Sequence, residues 1–198
     1  MFYICTVIDV IRIPPSNAFG NLNQIARMIL NEKYIGKVDR ELGVIIAILN
    51  IKVSPIGKII QGDGATYHKV RFKVLTFSPI IQEVIEAEVV EVVDFGVFVR
   101  LGPLDGLIHI SQVADDHFSF DNKQKVLHGK NTGRSITVGD KVRARIVSVG
   151  LSESGPRATK IGLTMRQPFF GKLEWIEEDL LRIKKATPEA KKKVNLHK

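Results

Sequence analysis

Between residues 83 and 166 the chain is a series of short β-rich runs, each closed by a turn: EAEVVEVVDF, GVFVRL, GLIHIS, KVRARIV and TKIGLTM. Runs this short cannot each bury a face alone. Five of them in succession close most simply into a small barrel. Residues 115–139, between the third and fourth runs, are polar and glycine-containing and read as one large loop. After Pro168, Leu173, Ile176, Leu180 and Ile183 recur at helical spacing and mark a closing helix. The lysine-rich end, 186–198, reads as a basic tail without fixed structure.

The first 80 residues follow a different pattern. Phe2 to Ile13 is β-branched and apolar on both parities, as expected of a strand covered on both faces, and Pro14 and Pro15 stop it. Ser16 and Asn17 are candidate caps for a helix carrying Leu22, Ile25, Met28 and Ile29, which Gly36 ends. Val44 to Val53 is a second buried strand, and GKIIQGDGA, with Gly57, Gly62 and Gly64, reads as a flexible turn. In HKVRFKV, Val70, Phe72 and Val74 face inward while Lys69, Arg71 and Lys73 face out. The expected fold is therefore α+β, with a small α+β unit over 1–80, a five-stranded barrel and closing helix over 81–185, and a tail over 186–198.

Charge decides which partners are worth considering. The formal net charge is +8, which favours an anionic partner. Residues 1–80 hold 10 basic and 5 acidic side chains. Residues 81–121 hold nine acids against one base, whereas 122–145 hold seven bases against one acid, so the barrel has a basic side. A single cysteine, Cys5, excludes an internal disulfide and a multi-cysteine zinc site and suits a reducing cytoplasm. The longest apolar run, Val44 to Leu49, is far short of the roughly 18 residues a membrane-spanning helix needs, so no membrane is expected as a partner.

The stretch VDFGVFVRL carries the chemistry. Val97, Val99 and Leu101 alternate inward, leaving Phe98 and Arg100 outward. Phe95 has the wrong parity to join Phe98 unless the strand bulges, and Gly96 is the residue that permits a bulge. In GLIHIS, Ile108 and Ile110 point in and His109 out; in KVRARIV, Val142, Ala144 and Ile146 point in and Lys141, Arg143 and Arg145 out. Two phenylalanines in a strand are ordinarily core, and an outward histidine is ordinarily plain surface. Their conjunction with a basic strand on a five-stranded barrel instead describes a platform for single-stranded nucleic acid, where rings stack on bases and cations meet phosphates.

VDFGVFVRL, GLIHIS and VGDKVRARIV resemble the S-one type of OB-fold RNA-binding domain over about residues 82–166. The resemblance implies that Phe95, Phe98 and His109 are RNA-stacking positions and that Lys160 is a basic contact. Lys123, Lys125 and Lys130 are weaker candidates. Gly150 stands where that family often has an aspartate, and loop 115–139 is longer than usual. The start MFYI, the segments YIGKVDRELGVIIAI and VRFKVLTFSPIIQEVIEAEVVEV, and the ending KIGLTMRQPFFGKLEWIEEDL together resemble the E-prime family of archaeal RNA polymerase subunits, counterparts of the seventh subunit of eukaryotic RNA polymerase II. That resemblance implies an N-terminal RNP-like domain before the OB domain. It also implies a non-catalytic role in a stalk with the F subunit of RNA polymerase, contact with the polymerase core and with nascent single-stranded RNA, and assistance to initiation and elongation. It places Gly57, Gly62 and Gly64 near the part that docks on the core; Ser78 and Pro79, at the interdomain join, are a geometric guess for contact with the F subunit.

Catalytic constellations are wanting. GKNTGRS lacks the G-x-x-x-x-G-K-[ST] order of a phosphate loop, ADDH at 114–117 has no matching ligand cluster, and Asp63 between glycines reads as a turn residue. No cofactor or metal is expected. The alternative from the enzyme class is an RNA-binding component of a ribonuclease or exosome assembly, since such machines also use this OB domain.

Overall fold

The computed structural model describes residues 1–17 and 20–194. Its chain divides into two compact units, Met1–Pro79 with Gly150–Thr159, and Ile80–Val149 with the residues from Lys160 onward.

In the first unit, β1 (Phe2–Ile13), α1 (Leu22–Tyr34), β2 (Val38–Asp39), β3 (Gly43–Ile60) and β4 (Asp63–Phe77) form an antiparallel sheet of order β1-β4-β3-β2 with the helix on one face. The helix starts at Asn21, whose side chain accepts from the Asn23 amide at 3.0 Å; the expected caps Ser16 and Asn17 lie instead in a 3₁₀ turn over Pro15–Asn17. Asn21 wins because it directly precedes the apolar periodicity. α1 buries Ile25, Ala26 and Leu30 against Ile11, Ile13, Ile45, Ile48, Val70, Phe72 and Val74, while Met28 is exposed. Each such aliphatic side chain removed from water is worth about 1.5–3 kcal/mol.

Two expectations change here. β1 is covered on one face only: Cys5, Val7, Ile11 and Ile13 turn toward the helix side, whereas Ile4, Ile8 and Val10 are exposed. Apolar residues on both parities said nothing about what covers the second face. The glycine-rich turn is also much smaller than expected, because β3 runs on through Gly57 to Ile60 and only Gln61 and Gly62 turn the chain. Gly62, at φ +90°, is the position that needs glycine. Gly57 leaves room for the His68 imidazole, since a Cβ there would lie 2.5 Å from its Nε2.

The second unit contains β5 (Val84–Val93), β6 (Gly96–Arg100), β7 (Asp105–His109), β8 (Phe118–Asp121), β9 (Val126–Gly129), β10 (Ser135–Ile136), β11 (Lys141–Gly150), β12 (Lys160–Thr164), β13 (Gly171–Lys172) and α2 (Leu173–Val194). β12-β7-β6-β5-β11 are hydrogen-bonded in that order and β12 also pairs with β11, so five strands close on themselves. β7 and β12 run parallel; β5, β6, β7 and β11 pair antiparallel. Val89, Val97, Val99, Ile108, Val142, Ala144, Ile146, Ile161 and Leu163 fill the interior, as their parity predicts.

The segment 115–139 is not an open loop. β8, β9 and β10 form a small antiparallel sheet that buries Val126, Leu127 and Ile136. Strands of two to four residues leave too little alternation to read against a polar background. α2 buries Trp175 and Ile176, and its Asp179 accepts from Arg134 at 2.8 Å, but Leu180 and Ile183 are exposed, so the expected apolar stripe packs only at the start of the helix. Its backbone stays helical to Val194, through most of the expected tail; residues 195–198 lie outside the described residues.

Candidate RNA-binding face

Phe95 and Phe98 do come together, but by a different route from the expected bulge. β6 pairs with β7 without a register shift, and the irregularity lies in its pairing with β5 on the other side, between Val89 and Glu91. Phe95 is not a strand residue at all: with Asp94 it makes the tight turn from β5 to β6, and so escapes strand parity. Its ring meets that of Phe98 edge-on, centroids 6.1 Å apart and planes at 88°. Gly96 is needed for a separate reason. A Cβ there would lie 2.2 Å from the Ile108 carbonyl oxygen of β7.

On β7, His109 is opposite Gly96 and Leu107 is opposite Phe98, so both share the outward face with the phenylalanine. Phe95 is 47% exposed, Phe98 is half-buried and His109 is exposed. The imidazole is held. The Ser111 amide donates to His109 Nδ1 at 3.3 Å, and the Ser111 hydroxyl lies 2.8 Å from the same nitrogen. Since a backbone N–H can only donate, Nδ1 accepts, and the neutral ring carries its proton on Nε2 as a free donor.

The cations are less concentrated than expected. Lys160 begins β12, the parallel neighbour of β7, and is exposed two residues before Gly162, which lies beside Leu107. Lys141, Arg143 and Arg145 lie on β11, beyond β5, whose outward Glu88 and Glu86 stand opposite Lys141 and Arg143. Arg143 donates from Nε and Nη2 to Glu86 Oε1 at 3.0 and 2.7 Å, which leaves a half-exposed ion pair rather than a free phosphate contact. Arg145 stacks over Phe170 at 5.3 Å, and its buried Nε has no hydrogen-bond partner among the described residues. Phe98, His109 and Lys160 therefore lie on the successive strands β6, β7 and β12, with Phe95 in the turn before β6, whereas the three β11 bases lie along the stretch of β11 that pairs with β5. Glu86, Phe170 and Ser111 were missed in the sequence because they act through strand register and a later turn.

Other singled-out residues have structural occupations. Ser78 N–H donates to the Met1 carbonyl at 2.9 Å, and the terminal amine of Met1 donates to the Ser78 carbonyl, while Pro79 closes the first unit. Asp63 takes a two-pronged contact from Arg12 at 2.8 and 2.7 Å and the Tyr67 hydroxyl at 2.7 Å, and these hold its carboxyl well below the usual range. Asp116 accepts from the Thr132 hydroxyl and amide at 2.6 and 2.9 Å and from the Asn131 and His117 amides. The Thr132 hydroxyl leads in lowering its pKa to about 2. No cluster of three or more His, Cys, Asp or Glu fit to hold a metal occurs among the described residues. Among those residues, too, no helix is long and apolar enough to cross a membrane.

Residues 78–157 match the family model for the S1 RNA binding domain, and residues 8–64 match the SHS2 domain found in the N terminus of Rpb7p/Rpc25p/MJ0397. DNA-directed RNA polymerase subunit Rpo7 of Saccharolobus shibatae is 48% identical over 90% of this chain and 98% of its own. The chain belongs to the Rpo7 family. It is thus a non-catalytic subunit of a DNA-directed RNA polymerase, built as an SHS2 domain followed by an S1 OB-fold. Beyond the archaeal members of the Rpo7 family, DNA-directed RNA polymerase III subunit RPC8 of Bos taurus is 26% identical over 79% of both chains. Ribonuclease R of Escherichia coli is 35% identical, but over only 37% of this chain and 9% of its own. The enzyme-class alternative thus shares one domain, whereas the Rpo7 family shares the whole arrangement.

Proposed function

We propose that this protein pairs with the F subunit as the stalk of a cytoplasmic RNA polymerase and holds the emerging single-stranded RNA during initiation and elongation. The observation that carries the RNA part is the meeting of Phe95 and Phe98 beside an oriented His109 on one outward face of a closed barrel. Bases stack on the two rings, the His109 Nε2 proton donates to a base or sugar oxygen, and Lys160 meets phosphate. Arg143 and Arg145 contribute less, because Glu86 and Phe170 already engage them.

Fluorescence anisotropy with a labelled single-stranded RNA tests this reading. Phe98→Ala should weaken binding by about 1–3 kcal/mol, one stacking contact, and Lys160→Gln should lower the salt slope by roughly 0.7. Unchanged affinity in a folded Phe98→Ala variant would remove the platform. Co-expression with the F subunit tests the pairing, which fails if the two proteins separate on gel filtration.

A further inference from the structure

The face of the first unit's sheet opposite α1 is exposed, and away from the Arg12–Asp63 pair at its hairpin end its charged side chains are cations. Strand register aligns its side chains in rows: Ile8 with Arg71 and Lys52, Val10 with Lys69, and Thr6 with Lys73. Lys52, Lys69, Arg71 and Lys73 are exposed, and none forms an ion pair among the described residues. The carboxylates of β1 and β4 are committed elsewhere. Asp63 is held by Arg12 and Tyr67 at the hairpin end, and Asp9 turns to the helix side, where Lys33 and Tyr34 bind it. A shallow cleft of about 370 Å³ runs through the band between Ile8, Lys52, Lys69 and Arg71.

Four uncompensated cations on one face repel each other, and an acidic partner relieves that repulsion. The neighbouring side chains say which kind. Single-stranded nucleic acid takes aromatic faces to stack on, but the residues beside the cations are aliphatic: Ile8 is 52% and Val10 51% exposed. Tyr67 has its hydroxyl on Asp63, and Phe2 packs edge-on against Phe77 at the far end. Successive outward cations on β4 are two residues apart, about 6.8 Å. Carboxylates at alternate positions of an extended polypeptide have that same pitch.

We propose that this sheet face docks an acidic segment of the polymerase core in which carboxylates alternate with aliphatic residues, the carboxylates meeting Lys69, Arg71 and Lys73 and the aliphatic side chains covering Ile8 and Val10. The proposal rests on membership of the Rpo7 family and is independent of the RNA reading. The test uses the full-length chain, fluorescently labelled, and the polymerase purified without it, titrated at several salt concentrations. Lys69→Gln, Arg71→Gln and Lys73→Gln together should weaken core binding at least about 10-fold and flatten its salt dependence, with binding of a single-stranded RNA unchanged. A Phe98→Ala chain should bind the core like the wild type. Core affinity and salt slope left intact by the triple substitution would overturn the proposal. So would a loss confined to RNA binding, which would give the face to nucleic acid. Since all three side chains are exposed, far-ultraviolet circular dichroism should be unchanged, and Ile8→Ala supplies an uncharged second test, with several-fold weaker core binding expected.

Discussion

Gly96→Ala should damage this protein far more than a methyl group usually does in a strand. The added Cβ would lie 2.2 Å from the Ile108 carbonyl oxygen and 3.1 Å from the His109 Cα, both backbone atoms of the paired strand. Backbone cannot rotate away, so β6 and β7 must part by roughly 1 Å to reach ordinary contact. Overpacking of this kind costs about 1–3 kcal/mol. The adjoining bond from the Ile110 amide to the Phe95 carbonyl, 2.9 Å long, is stretched with it, at about a further 0.5–1.5 kcal/mol. Together these come to about 1.5–4.5 kcal/mol, which lowers the melting temperature of a barrel this size by roughly 6–35 °C. Gly162→Ala is the control. There the nearest atom is the Ser148 hydroxyl at 2.5 Å, the end of a side chain that can rotate, and the expected change is within about 1 kcal/mol. Thermal unfolding by circular dichroism, followed by RNA titration at 10 °C, reads both variants. If the two melt together, the close-approach argument is wrong. If Gly96→Ala melts early but keeps full RNA affinity, the Asp94–Phe95 turn has no part in binding.

Gly57→Ala should destabilise the free protein by about 1–3 kcal/mol, because the His68 ring it meets is tethered to the Ser54 carbonyl at 2.9 Å; a loss seen only as weaker polymerase binding, with urea unfolding unchanged, would contradict this. Leu30→Ala, at a fully buried position under the sheet, should cost about 2–5 kcal/mol in the same urea assay, and a cost under about 1 kcal/mol would mean that α1 is not seated as described. Asp116 should titrate near 2 by carboxyl NMR. Its folded value is depressed, so its contribution is present above the unfolded value of about 4 and lost as pH falls toward 2. Asp116→Asn should speed hydrogen exchange at the Asn131 and Thr132 amides at neutral pH, and unchanged exchange would refute that role.

The legible parts of the fold were those with a clean period of two. Val97, Val99, Val142, Ala144 and Ile146 point inward as their alternation demands, and closure of the barrel needed little more. The meeting of Phe95 with Phe98 was legible too, but its mechanism was not. A two-residue turn frees Phe95 from parity, and sequence spacing cannot separate that from a bulge. Arg143 and Arg145 show a different limit. Outward direction follows from alternation, whereas availability depends on Glu86 across β5 and on Phe170 some 25 residues later, which only register and tertiary packing bring near. On β1, alternation described two apolar faces, but what covers each is a property of the fold and its partners.

The grouping of Gly150–Thr159 with Met1–Pro79 sets an order on biosynthesis. The β3–β4 hairpin can zip as soon as it leaves the ribosome, since its strands are joined by two residues. Glu153, which pairs with Arg40 at 2.7 Å, is translated more than a hundred residues later, after all but the last strands of the barrel. A ribosome releasing a chain cut after Pro79 thus liberates a first unit still missing one of its own segments. The unit that begins folding first is among the last to be completed.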